Sequence, residues 1–197
     1  MGSTETEPAM SSRSDESSSA RVTSPIDPLE WARPFWALHG LGEQQDEFFT
    51  MGSLFRFHRM VADQVEGALR AHKLNITDYM LLMTLRLSDN GTRLISQLAR
   101  ILLVHATTAT LATDRLEKRG LIVRSPHPTD RRATLVSITA AGKRISSEAT
   151  DSVRQVDFGL CGSSAADRAD FAEILARMRM RGGDTNVISK VRPTHDA

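Results

Sequence analysis

Between Ala106 and Thr139 the chain changes its repeat, and no other stretch restricts the fold as tightly. From Ala106 to Arg119 apolar residues fall at helical spacing, and the run stops at Gly120, a residue suited to the left-handed backbone that closes a helix. Leu121-Ile122-Val123-Arg124 and the segment Ala133 to Thr139 (ATLVSIT) then read as two antiparallel strands. Between them lies Ser-Pro-His-Pro-Thr-Asp-Arg-Arg, residues 125 to 132. Pro126 and Pro128 bar it from a helix, because proline lacks the N–H and restricts the residue before it. A helix therefore runs directly into a hairpin with a long, basic tip.

The flanking sequence is helical. A first long helix is expected from Gln44 to about His72, where Phe48, Met51, Phe55, His58, Val61, Val65 and Leu69 recur at spacings of three and four. Asn75-Ile76-Thr77-Asp78 breaks it and offers Thr77 as the cap of a second helix, Asp78 to Leu87. Ser88-Asp89-Asn90-Gly91 is a turn signal. A short amphipathic helix, Ser96 to Leu102, follows, with Leu98, Ile101 and Leu102 facing inward. After the hairpin, Thr139 caps a helix expected to reach about Leu160. Gly162-Ser163-Ser164 interrupts it, and a last helix from Ala165 to Arg181 puts Phe171, Ile174, Leu175 and Met178 on one face. The fold class expected is mainly α with a small β-hairpin wing.

Charge is concentrated in the middle of the chain. From Arg93 to Arg144 there are ten Lys and Arg against three acids, Asp114, Glu117 and Asp130, a formal excess of seven in a chain whose net charge is +1. That asymmetry suits a nucleic-acid binder, although a solvated cationic helix face has the same counts. The single cysteine, Cys161, excludes an internal disulfide framework and points to a reducing compartment, and the polar start, Met1 to Ala20, does not read as a secretory signal. A soluble, cytoplasmic protein without a membrane span is expected. Enzyme signatures are missing: there is no G-x-S-x-G, P-loop, G-x-G-x-x-G or C-x-x-C. The six histidines, 39, 58, 72, 105, 127 and 195, show no i, i+4 pair for a metal. No catalytic residue, cofactor or metal is expected.

Two short helices, a tight turn and a basic hairpin make a winged helix-turn-helix. The second short helix fits the major groove, where base edges carry a readable pattern, and the hairpin reaches the neighbouring backbone or minor groove. The run Asp114 to Arg124 (DRLEKRGLIVR), then Asp130-Arg131-Arg132, then Thr139-Ala140-Ala141-Gly142, resembles the MarR family of bacterial transcription regulators over roughly Gln44 to Arg181. The resemblance implies a homodimer held by interlocking N- and C-terminal helices above two winged domains. Its boundaries here are a disordered tail (1–28), N-terminal dimerisation helices (29–75), the winged domain (76–139), C-terminal dimerisation helices (140–181) and a flexible tail (182–197).

It also implies double-stranded DNA with a pseudo-palindromic operator as partner. Arg132 reaches the minor groove, Arg131 lies beside it on the wing, and Asp130 supports the wing through a salt bridge. On the recognition helix, Ala106, Thr107, Thr108 and Thr110 face DNA, where threonine hydroxyls bond bases or phosphates as readily as they cap the helix. Arg115, later on the helix, serves either the fold or the DNA backbone, and His105 either caps the helix or touches phosphate. Regulators of this kind answer small aromatic ligands, for which His58, Tyr79 and Met83 are the candidate lining, against core packing of the same residues. Two positions depart from the family pattern: Leu103 stands where a glycine relaxes the turn, and Leu111 where the recognition helix carries an arginine. The leading expectation is a ligand-relieved repressor. Two alternatives stay open: a winged-helix protein with weak or lost operator binding that acts through protein contacts, and a thiol-based redox sensor using Cys161.

Overall fold

The computed structural model describes residues 27–130 and 132–185. They fall into two compact units that divide between Ser53 and Leu54. Both expected tails lie largely outside the described residues.

In the first unit a single 3-10 turn, Glu30–Ala32, leads into α1, Arg33–Leu38, with Pro34 in its first turn, where a missing N–H costs nothing. Trp36 packs on Phe48 with ring centroids 4.9 Å apart, and Phe49 is buried. The Arg33 guanidinium lies 4.7 Å from the Phe49 ring centroid and 2.9 Å from Asp46. These residues open α2, Gln45–Leu69, which continues across the division.

The second unit holds the main core. α3, Ile76–Arg86, is capped by Asn75, whose Oδ1 accepts the Asp78 N–H at 2.8 Å. Thr77, expected to cap it, lies within the first turn, because Asn75 carries the extended backbone a cap requires. Strand β1, Thr92–Leu94, leads directly into α4, Ile95–Ile101. α5, Ala106–Lys118, follows, then β2, Ile122–Pro126, and β3, Thr134–Ile138. Helices α6, Ala140–Gln155, and α7, Ala165–Arg181, complete the unit. Leu69, Leu81, Leu82, Leu85, Leu98, Leu116, Ile122, Val136 and Val153 are wholly or almost wholly buried, so one core joins the end of α2, the three short helices, the sheet and α6.

The hairpin is part of a three-stranded antiparallel sheet in the order β1-β3-β2. Ile122 pairs with Ile138, Pro126 with Thr134, and Thr92 with Ser137, whose hydroxyls meet at 2.7 Å. β1 is three residues long, too short to show alternation in the sequence. β2 runs further than expected because Pro126 sits at the end of an edge strand, where no ladder donor is needed.

α6 stops at Gln155, short of the expected Leu160, since Asp157 and Phe158 adopt left-handed backbone (φ 47° and 55°). A Cβ on Gly159 would stand 2.8 Å from the Val61 carbonyl oxygen, so the chain turns there on a glycine against α2. α7 has the expected bounds and opens on a reciprocal cap between Ser164 and Asp167. Phe171 meets Phe57 edge to face at 5.2 Å, while Ile174 and Met178 stay exposed. Among the described residues no helix is long and apolar enough to cross a membrane.

Candidate nucleic-acid interface

The turn between α4 and α5 is closed by the backbone. The Val104 N–H donates to the Ala99 carbonyl at 3.0 Å and the Leu103 N–H to that of Arg100 at 3.2 Å, with Leu103 left-handed at φ 51°. This is a Schellman closure, ordinarily built on glycine. Leu103 therefore holds the turn that glycine usually makes, with its side chain 74% exposed. His105 then caps α5: its Nδ1 accepts the Thr107 N–H at 3.3 Å.

α5 buries Ala109, Ala112, Thr113 and Leu116 and exposes Ala106, Thr107, Thr108, Thr110 and Leu111. Two of the outward threonines spend their hydroxyls locally. Thr110 donates to the Ala106 carbonyl at 3.0 Å, and the Thr107 hydroxyl lies 3.1 Å from His105 Nδ1.

Three arginines brace the helix. Arg115 Nη2 reaches Asp78 Oδ1 on α3 at 2.7 Å, which assigns it to the fold. Arg119 donates to the carbonyls of Lys73 and His72 at 2.6 and 2.9 Å, tying the helix end to the left-handed Lys73 turn that closes α2. Arg124, from β2, reaches back to Asp114 at 2.5 Å, to the Thr113 hydroxyl at 2.7 Å and to Glu117 at 3.5 Å. The recognition helix and the first wing strand thus form one braced piece. Arg124 was not among the residues expected to matter. Its signal was present, since it shares a strand face with the buried Ile122, and an inward arginine needs partners.

At the wing tip, Asp130 makes no ion pair among the described residues. Its carboxylate accepts the Arg132 N–H at 2.9 Å, and its carbonyl accepts the Ala133 N–H at 3.0 Å. Among the described residues Asp130 thus acts as a turn former. Arg132 is exposed at the tip, and Arg131 lies outside the described residues. Arg100, Lys118 and Arg132 are exposed cations without an ion pair among the described residues.

Two of the three expected ligand residues, Tyr79 and Met83, meet at Thr150, whose Oγ1 lies 3.6 Å from Met83 Sδ. His58 is exposed on α2. Tyr79 is buried, its hydroxyl 3.0 Å from that of Thr150. Met83 alone lines a cleft of about 300 Å³ between α3 and α6, with Arg86, Ser147, Thr150, Asp151 and Arg154. Cys161 is exposed, its Sγ donating to the Val156 carbonyl at 3.1 Å.

Comparison with known proteins agrees with this architecture. Residues 74–134, from just before α3 to the start of β3, match the MarR family model. The HTH-type transcriptional regulator MhqR of Bacillus subtilis (strain 168) is 32% identical over 89 residues, 45% of this chain and 60% of the relative. The chain thus spans about 60% of that relative's length. Among solved structures, Sco5413, a MarR family transcriptional regulator from Streptomyces coelicolor, superposes with a TM-score of 0.67 at 27% identity, over 72% of this chain and 98% of that one. Sco3205, a MarR family regulator from the same organism in complex with DNA, shares the fold with a TM-score of 0.62 at 21% identity, over 75% of this chain and 94% of that one. With the turn and the recognition helix in place, residues 74–134 match the MarR family in sequence, and the fold is that of a MarR family transcriptional regulator.

Proposed function

We propose that the chain is a homodimeric transcription regulator that binds a pseudo-palindromic operator in double-stranded DNA and acts as a repressor. The observation that carries this reading is the braced recognition helix: Arg115, Arg119 and Arg124 fix α5 to α3, to the Lys73 turn and to the first wing strand, and its outward residues and Arg132 are left exposed. Pre-set geometry of this kind lowers the cost of ordering on binding. Leu103 does not argue for lost binding, because the backbone closes the turn around it.

A second copy is the partner that suits the exposed apolar residues of α2 and α7, among them Phe55, Met60, Ile174 and Met178. The half-site spacing of such a dimer is about one helical turn. A small aromatic effector, if the repressor is ligand-relieved, has its place in the cleft beside Met83, where Arg86 offers positive charge and Arg154 is paired with Asp151. A thiol sensor has less support, since Cys161 is the only cysteine and a disulfide needs a second chain.

The test is selection of duplexes from a random pool with the wild-type protein and with Arg132→Ala. The expected result is an enriched palindrome, bound more weakly by the variant, with the slope of log affinity against log salt reduced by about one per arginine removed. Failure of the wild-type protein to enrich any sequence overturns the reading. Light scattering on the same sample reports the dimer, and titration with benzoate reports the cleft.

A further inference from the structure

The reading of α5 as a DNA-binding helix leaves open what it reads, and its chemistry is unusual for base recognition. The commonest specific contacts are bidentate pairs from arginine, lysine, asparagine or glutamine to a purine edge. None of these residues occupies the outward face of the first two turns, which presents Ala106, Thr107, Thr108, Thr110 and Leu111. The next polar residues along the helix are already engaged, Asp114 with Arg124 and Arg115 with Asp78. Thr107 and Thr110 have turned their hydroxyls to His105 and to the Ala106 carbonyl. Thr108 is the one outward threonine of these turns whose hydroxyl has no partner among the described residues.

The face so made is rich in methyl groups, and at its centre is Leu111, 53% exposed. An apolar side chain of that size on a helix face is usually covered. Here its neighbours in sequence are a segment with a formal excess of seven positive charges, which matches phosphates rather than an apolar protein surface. In the major groove one base-edge group is apolar, the C5-methyl of thymine, and alanine, threonine methyls and larger apolar side chains are its natural contacts.

We infer that α5 reads its operator through thymine C5-methyl groups, with Leu111 as the specificity-determining residue. The inference rests on the DNA-binding reading above. Cytosine and uracil lack the methyl and leave Leu111 partly wet, and a purine at the same place sets a polar edge against it. Each half-site then carries a thymine at one fixed position.

Two random duplex pools test this, identical except that one is synthesised with dUTP in place of dTTP. From the thymine pool the wild-type protein enriches a thymine at the same place in both half-sites. The uracil copy of that duplex binds roughly fourfold more weakly for each methyl contacted, the equivalent of one buried methylene. In Leu111→Ala, a change at an exposed position, the difference between the two copies shrinks by the contribution of the thymine that Leu111 faces, and an undiminished difference removes Leu111 as the specificity determinant. Equal wild-type affinity for the two copies, with a palindrome still enriched, overturns the methyl readout and leaves the regulator standing. No enrichment from the thymine pool overturns both.

Discussion

Arg115 Nη2 lies 2.7 Å from Asp78 Oδ1, and Asp78 is 4% exposed. The pair joins the recognition helix to α3 through a buried carboxylate and a half-exposed guanidinium. An arginine that the sequence offers to DNA is committed to the fold.

Removing it strands the carboxylate. Arg115→Ala is expected to destabilise the protein by about 1–3 kcal/mol, the cost of a buried acceptor left unpaired. The melting temperature falls by several degrees on the size scaling of unfolding entropy. Adding Asp78→Asn should recover part of the loss, and thermal unfolding of both variants measures it. Full independence of the two substitutions would contradict the pairing.

Arg124 is expected to act on binding as well as on stability. It is the link between α5 and β2 through Asp114, Glu117 and Thr113. In Arg124→Ala the helix and wing no longer hold one angle, and affinity for a selected duplex should drop about tenfold, the effect of roughly 1.4 kcal/mol. Circular dichroism should show the helices retained. Anisotropy titrations that find unchanged affinity would remove the brace from the binding argument.

Leu103 is the opposite case, a residue whose replacement should help. Its φ of 51° is a left-handed conformation costly for any side chain, and its side chain is 74% exposed, so little packing is at stake. Leu103→Gly should stabilise by about 1 kcal/mol, allowing for the entropy that glycine adds to the unfolded chain. A melting temperature raised by a few degrees is the expected reading, and a lowered one would mean that Leu103 makes contacts worth more than its strain.

Gly142 tolerates nothing larger. A Cβ there would sit 2.1 Å from the Leu121 carbonyl oxygen and 2.8 Å from Ile138 Cγ1. Both neighbours belong to the junction of the hairpin with α6, where Thr139 also bonds Gly120. Gly142→Ala should therefore cost about 3 kcal/mol or more through overpacking, visible as a lower urea midpoint. A near-neutral result would show that the strand ends give way easily.

The helices were legible because their signals are local. Ala165–Arg181 has the bounds its apolar spacing gives, and His105, Thr139 and Gly120 mark ends that their side chains or backbone freedom explain. β1 was not legible, as three residues carry no period and Thr92 becomes a strand residue only by facing Ser137, far along the chain. The cap of α3 shows the limit of local reading: Asn75 and Thr77 both qualify by type, and backbone conformation selects Asn75. The site follows the same division. Its order along the chain was readable, but the roles of Arg115, Arg124 and Asp130 depend on which carboxylate, hydroxyl or N–H folding brings within reach.

The strand order β1-β3-β2 has a consequence in time. β3 is the last of the three to be synthesised and the only one with two neighbours, so neither β1 nor β2 has a strand partner until residues 134–138 leave the ribosome. The helices preceding it can form as they emerge, whereas the sheet must close over a separation of more than forty residues between Thr92 and Ser137. A nascent chain arrested before Thr134 thus carries a recognition helix with no wing, and its two unmatched strands are open to the wrong neighbours.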